Sequence, residues 1–429
     1  MTKAEFDFSI NTLGKCSIQS PMKGVHFVSD EEHMLYDSHS SKVLRCLDRQ
    51  QELPAMELAG PREKIYFDPS KLKCGIVTCG GICPGVNDVI RSVVMSLYYH
   101  YGVKTIYGFP YGFEGLSWRH GHPPRELTPQ NVNVIHGMGG SILGTSRGPQ
   151  DAAEMVDTLE RMNVQILFAI GGDGTLKGAG ALASEIKQRG LKIAIIGIPK
   201  TIDNDISFIE KSFGFETAVT EASKIINSAH NEATGVRNGI GLLKLMGRES
   251  GFIAAYSVLA NNNVNFCLIP ESPFSLNGLL SALSERLNRR GHAVLVVAEG
   301  AGQDMMPKSC GTDASGNKRL NDIGVYLKES ITRHFRKLDL TVNMKYIDPS
   351  YTIRSVPATP HDSAFCLLLG HNAVHAGMSG RTNLVVGYWK GEFTHVPISL
   401  AVSKRKNIDP EGWFWSTVLA STGQPRDML

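Results

Sequence analysis

Several features that would direct a reading are missing. No run of about 18 apolar residues occurs, so no segment reads as a membrane-spanning helix, and the opening MTKAEFDFSINTLGK lacks the apolar core of a secretory signal. The terminal RDML is not a peroxisomal address. The eight cysteines (Cys16, Cys46, Cys74, Cys79, Cys83, Cys267, Cys310 and Cys366) form no CxxC pair. Cys79 and Cys83 flank a glycine turn without the His/Cys set that zinc requires, so the cysteines read as small buried hydrophobes in a reducing, cytoplasmic compartment. Neither sign of charge predominates. The net charge is +3, and the basic residues are scattered apart from short runs such as SKRKN at 403–407. Neither a nucleic-acid nor a membrane partner is expected. There is no HExxH, so His371 and His375, at i and i+4, read as packing, as do Met305, Met306, Trp413 and Phe414. No repeat of fixed period is apparent.

What is present is glycine, 44 in 429 residues, with 42% apolar residues, enough for two or three domains with substantial cores. From Cys74 onward, strand-like apolar runs alternate with helical periodicity. CGIVTCGG is followed by GVNDVIRSVVMSLYYHY, and VQILFAIGGDG by LKGAGALASEIKQRG and KIAIIGI. A second series begins after residue 206, with strands GIGLLKLMG, NFCLIPE, HAVLVVAEG and VNMKYID between helices. The expected fold class is α/β: two Rossmann-like three-layer domains with mainly parallel sheets, plus an N-terminal extension. The expected division is an extension over 1–70, a first domain over 71–206 completed by about 382–403, a second over 207–381, and a C-terminal segment over 404–429. NLVVGYWKGEFTHVPI reads as a hairpin.

In such sheets ligands sit at the carboxyl ends of the strands, and that is where the unusual residues fall. CGGICPGVND leads into a helix whose N-terminus suits phosphate. In GGDGT, Asp173 lies among glycines. An acid beside a phosphate-cradling backbone calls for a cation between them, and Mg²⁺ takes one or two carboxylates with phosphate oxygens. PKTIDNDI carries Lys200, Thr201, Asp203 and Asp205, so that one carboxylate can accept a proton from a hydroxyl while the other helps hold the metal. Arg147, Arg248 and Arg354, each near a turn, supply forks for phosphate; Tyr351 accompanies Arg354, and Glu299 ends a strand where a sugar hydroxyl could sit. There is no GxxxxGK[ST] loop and no protein-kinase signature.

Taken in order, GGICPGVNDVIR, GTSRGPQD, GGDGT, PKTIDNDI, MGRESGF, AEGAGQ and DPSYTIR resemble the phosphofructokinase family from about residue 59 to 400, and GPREKIYFDP and YIDPSYTIR resemble its longer ATP-dependent branch of plants and trypanosomatids. The resemblance implies transfer of the ATP γ-phosphate to O1 of fructose 6-phosphate, with Mg²⁺, in a glycolytic homotetramer that is often allosteric and shares sites between subunits. It implies Asp203 as general base, with Thr201, Lys200 and Arg147 at the reacting end. Gly80, Arg147, Gly172, Asp173, Gly174, Thr175 and Gly178 fall at the nucleotide, and Asp173 and Asp205 near the metal. Thr201, Asp203, Met246, Gly247, Arg248, Glu299, Lys345, Tyr351 and Arg354 fall at the sugar phosphate. It also implies an N-terminal extension that wraps a neighbouring subunit.

Departures from the family pattern are few. A sugar-phosphate arginine of the short bacterial enzymes falls at Gly239, with Arg237 or Lys244 as nearby substitutes. Pyrophosphate-using relatives carry aspartate at 174 and lysine at 200. Gly174 is therefore ATP-type and Lys200 pyrophosphate-type. Gly174 decides for ATP, because aspartate there would add bulk and charge where the α-phosphate sits, while lysine serves either donor. The alternative is a pyrophosphate-dependent phosphotransferase. GGDGT also occurs in the NAD kinase and diacylglycerol kinase group, which has no reason to carry PKTIDNDI with MGR and SYTIR. A non-catalytic subunit would be expected to have lost one of Asp173, Asp203 and Asp205.

Overall fold

The computed structural model describes residues 6–307, 311–312 and 318–429. Cys310 lies outside them. Its contacts divide into two compact units: residues 1–201, 206–214 and 357–405, and residues 202–205, 215–356 and 406–429.

Eleven strands make the two main sheets: β1 (Lys73–Thr78), β2 (Thr105–Phe109), β3 (Arg125–Glu126), β4 (Ile166–Gly171), β5 (Ala194–Pro199), β6 (Gly239–Leu245), β7 (Phe266–Leu268), β8 (His292–Ala298), β9 (Asn343–Ile347), β10 (Leu384–Trp389) and β11 (Glu392–Pro397). The first unit holds the order β11-β10-β5-β4-β1-β2-β3, parallel except at its two edges, where β11 and β3 run antiparallel. The expected hairpin is the β10–β11 edge, with Leu384 opposite Pro397. The second unit holds β7-β8-β6-β9, all parallel.

β4 (ILFAIG) and β5 (AIIGIP) are buried at every residue, because helices cover parallel strands on both faces and leave no polar alternation. In the first unit, Val77, Phe109, Leu167, Ala169, Leu176 and Ile195 pack in one core; in the second, Leu242, Leu283, Leu295, Val297, Leu327 and Phe335 do so. Local signals set the helix ends. Asp151 caps Ala152–Arg161 by accepting from the Glu154 N–H at 3.1 Å. Ser275 caps Leu276–Arg290 in the same way, and Gly291 closes that helix in the left-handed region.

Two features of the units stand beside the pattern-based division. Residues 357–381 belong to the first unit, because the helix Pro360–Met378 lies against Val86–Met95, with Ser92 Oγ donating to the Leu367 carbonyl at 2.6 Å. The N-terminal residues also lie on the first unit of their own chain. Asn11–Thr12 pairs antiparallel with Arg381–Thr382. Phe6, Phe8 and Tyr36 cluster around Phe208, with ring centroids 5.0–5.6 Å from it. In the same unit Arg62 and Arg381, each 5% exposed, share Asp30 at 2.8 and 2.7 Å, and both also pair with Glu57. The described cysteines form no disulfide, and burial pushes the Cys79 thiol up to about 12. His375 is a core residue, its Nδ1 2.8 Å from Tyr101 Oη, and burial holds it down at about 3.

Candidate active site

In the first unit, β1 is laid down before its neighbours β2 and β4, which lie on either side of it. The strand order therefore reverses at β1, the place where an open α/β sheet leaves a crevice beyond its carboxyl edge. The loop after β1 turns at Gly80 with φ +84°, a conformation L side chains rarely adopt. It is held by three neighbours: the Gly80 N–H donates to the Ser146 carbonyl at 2.9 Å, Thr145 Oγ1 donates to the Gly80 carbonyl, and Lys200 Nζ donates to the Gly81 carbonyl. Lys200 is 5% exposed, so an ammonium is buried at this edge.

After β4, Gly172 opens the sixteen-residue helix Asp173–Gln188, whose free N–H groups and positive dipole end favour an anion. A Cβ at Gly171 would collide with the Thr175 side chain, and one at Gly178 would come 2.6 Å from the Phe113 ring. A Cβ at Gly174 would meet nothing within 4 Å. Asp173 lies in the first turn with Lys177 Nζ at 2.8 Å and Arg405 at 3.9 Å. Arg147 is exposed, in the loop that binds Gly80. Thr201, just after β5, accepts a 2.6 Å hydrogen bond from Ser212 Oγ on its carbonyl.

The chain enters the second unit for Ile202–Asp205 and then returns to the first at Ile206. Asn204 lies between the two acids at φ +53°, which asparagine tolerates, and this puts a sharp bend between Asp203 and Asp205. The Asp203 carbonyl accepts from Ser250 Oγ at 3.3 Å, and the Asp205 carbonyl from the Lys406 N–H at 2.8 Å. Asp205 is buried and Asp203 half-buried.

The second unit's site loops also follow strand ends. Met246–Arg248 follows β6 and Glu299 follows β8, and the two loops are joined through backbone: Glu299 N–H to Leu245 O at 2.9 Å, Gly300 N–H to Gly247 O at 3.0 Å. Gly247 sits at φ +132°, and a Cβ on Gly300 would collide with the Arg248 carbonyl, so neither position admits a side chain. Burial raises the Glu299 carboxyl above its ordinary value, opposed by Arg248, Lys244 and Arg354. After β9, Arg354 stacks on Tyr351 with its guanidinium carbon 4.9 Å from the ring centre, and Tyr351 is 67% exposed.

Three positions, Lys345, Lys244 and Gly239, lie within strands, away from these loop tips. Lys345 does not join the strand-end group. It lies within β9 opposite Gly241, exposed, with Glu232 at 3.6 Å. Lys244 is already paired with carboxylates. Its ammonium lies 2.8 Å from both Asp322 and Asp348, and those two carboxylates raise its pKa against the opposing effect of burial. Asp348 begins the loop that carries Tyr351 and Arg354, so Lys244 is tied to that loop, a contact that nothing in the linear spacing reveals. Glycine at 239 has a local cause: a Cβ there would collide with the Ala233 carbonyl of the preceding helix.

In one unit two glycine-rich strand ends and a helix N-terminus follow the sheet's carboxyl edge, and in the other Arg248, Glu299 and Arg354 follow strand ends. The chain belongs to the phosphofructokinase family, whose model matches residues 73–377. It is 49% identical to an ATP-dependent 6-phosphofructokinase of Borreliella burgdorferi over 98% of both chains. It is 46% identical to that of Trypanosoma cruzi over 96% of this chain and 87% of the relative, and 49% identical to ATP-dependent 6-phosphofructokinase 7 of Arabidopsis thaliana over 86% and 76%. A pyrophosphate-dependent phosphofructokinase from Marinobacter aquaeolei shares the fold, with TM-score 0.68 at 18% identity over 79% of this chain and 86% of that one.

Proposed function

We propose that this protein is an ATP-dependent 6-phosphofructokinase. It transfers the γ-phosphate of ATP to O1 of fructose 6-phosphate and gives fructose 1,6-bisphosphate and ADP. The observation that carries the reading is the Gly172–Thr175 turn. Gly174 is exposed at a helix N-terminus, with open space where a side chain would stand, so position 174 offers a nucleotide's inner phosphates backbone N–H and room, with no side chain of its own in the way. The high identity to ATP-dependent relatives over most of the chain supports the same donor.

In this reading Asp203 takes the proton from the O1 hydroxyl as the bond to phosphorus forms, with Thr201 beside it. Gly80, Gly172, Thr175 and Gly178 shape the donor cradle. Lys200 and Arg147 offset charge on the moving phosphoryl group. Arg248 and Arg354 grip the sugar phosphate, with Met246, Gly247, Glu299 and Tyr351 around the sugar. Lys345 serves a neighbouring subunit's site in a homotetramer. Asp173 and Asp205 fit Mg²⁺, because hard carboxylate oxygens are the protein ligands that ion takes. Asp173 would exchange its contact with Lys177 for it. Mg²⁺ supplies charge neutralisation on the phosphate oxygens. Among the described residues no helix is long and apolar enough to cross a membrane. A coupled assay of the purified protein with fructose 6-phosphate, comparing MgATP with magnesium pyrophosphate, tests the donor. Turnover with ATP is expected. Turnover with pyrophosphate alone overturns the reading, and sedimentation velocity tests the tetramer.

A further inference from the structure

Away from the strand-end loops assigned above, one cluster of metal-type ligands stands out. Glu114, His120 and His122 each offer a ligand atom, and the three atoms lie within 4.8 Å of one another. They come from one loop after β2, and the fold holds that loop firmly. Glu114 lies in a 3₁₀ turn, Gly112–Leu116, whose end is closed by the Ser117 N–H donating to the Glu114 carbonyl at 3.0 Å. Ser117 Oγ donates to the buried Glu154 carboxylate at 2.6 Å, and Arg119 pairs with the same carboxylate at 3.0 Å. Gly121 then turns the chain at φ +64°, so that the residues before and after it face the same way. The His120 and His122 rings are nearly parallel, 4° apart, with centroids at 6.1 Å. Gln150 Oε1 lies 3.2 Å from His120 Nε2, and the Tyr111 ring lies 4.7 Å from His122, so both imidazoles have an orienting neighbour outside the cluster. Among the described residues Glu114 has no ion-pair partner, so its charge is not already matched by a lysine or arginine.

We infer that Glu114, His120 and His122 bind a divalent transition-metal ion of the zinc class, as a site separate from the carboxylates assigned to Mg²⁺. Two imidazoles and one carboxylate with room left for water are the ligand set of zinc, cobalt or nickel, whereas Mg²⁺ prefers oxygen alone. The ligands come from a loop whose Phe113 packs on Gly178 of the helix Asp173–Gln188, so the ion would sit on a wall of the donor unit. The site does not depend on the kinase assignment.

The test uses the full chain, stripped with chelator and titrated with Co²⁺ and with Zn²⁺ in excess Mg²⁺. One ion per chain is expected, with a cobalt d–d spectrum that lacks a thiolate charge-transfer band. H120A/H122A should lose affinity at least about 100-fold, the upper end of what losing a supporting partner alone costs. E114Q, which keeps shape and removes charge, should weaken binding by less. Each variant's melting curve without metal should match the parent, since the side chains lie on a surface loop. Unchanged stoichiometric binding in H120A/H122A, a thiolate band, or no binding at about 100 μM metal would each overturn the site, and none of these would bear on the phosphotransferase reading.

Discussion

The two units arm the same structural position, the carboxyl edge of a parallel sheet, with different chemistry. In the first, the strand ends are largely backbone: Gly80 and Gly81 after β1 and Gly172–Thr175 after β4, with the buried Lys200 tied to the Gly81 carbonyl. In the second they are charged side chains in mutual contact. Lys244 lies between Asp322 and Asp348, Glu299 is influenced by three cations, and Arg354 rests on Tyr351. A nucleotide's phosphates can be met by N–H groups and a helix dipole, which do not depend on side-chain identity. A small sugar phosphate must be gripped by guanidinium forks, whose position depends on partners. The first unit should therefore respond to changes that fill space, and the second to changes that remove charge.

The largest expected effect is at the bend where the chain passes between units. Asp203→Asn should lower kcat by about 10²–10⁴-fold, the usual general-base range, with fructose 6-phosphate binding by calorimetry nearly unchanged. Near-normal turnover would remove Asp203 from the base role.

Next comes the charged cluster around Glu57, which marks the limit of the contrast, because there the first unit also relies on ion pairs. Burial alone would raise the Glu57 carboxyl, but His395, Arg381 and Arg62 outweigh it and hold it at about 2. The folded value lies below the unfolded one, so the stabilisation is complete above about pH 4.5 and is lost as pH falls toward 2. His395, whose pKa burial lowers, adds to the loss of stability in acid below about pH 6.5, because the unfolded chain takes up the proton first. Glu57→Gln leaves Arg62 and Arg381 under-compensated and should cost about 3–5 kcal/mol in urea unfolding at pH 7, with less further loss between pH 4.5 and 2 than in the parent. Equal acid sensitivity would place the titration elsewhere.

Gly174→Asp should lower kcat/KM for ATP by about 10-fold or more, through charge repulsion worth about 1.4 kcal/mol per decade. The melting temperature should stay the same, because the new Cβ meets nothing within 4 Å. A variant that melts early would attribute the effect to folding and not to the donor. The smallest effect is expected at Lys244. Lys244→Met frees the Asp348 loop and should raise KM for fructose 6-phosphate about 10-fold, with kcat changed less and Lys244→Arg partly restoring it. An equal fall in kcat, or no change in KM, would count against a positioning role.

Much of this was legible before any coordinates. Continuous apolar runs such as ILFAIG marked the buried parallel strands, and the glycines and acids after them fall in the loops and helix starts that follow those strands, because period and turn chemistry are local properties. Residues 357–381 could not be assigned that way. Their helical pattern is plain, but whether that helix packs on one sheet or the other depends on the close approach of Ser92 and Leu367, which are far apart in sequence. Gly239 looked like a lost arginine until the Ala233 carbonyl occupied its Cβ space. Glu114, His120 and His122 were passed over, since an H-G-H in a loop carries little signal without the carboxylate that the 3₁₀ turn brings alongside.

The sequence by itself determined the class of fold, the strand-end loops and the chemical types they carry, since these follow from periodicity and from what glycine, aspartate and arginine can do locally. Only the tertiary structure decided which charge faces which: that Lys244 lies between Asp322 and Asp348, that Lys345 stands within its strand beside Glu232, and that two histidines and a glutamate converge. Coulombic and coordination contacts act over a few ångströms of space, and separation along the chain does not encode such distances.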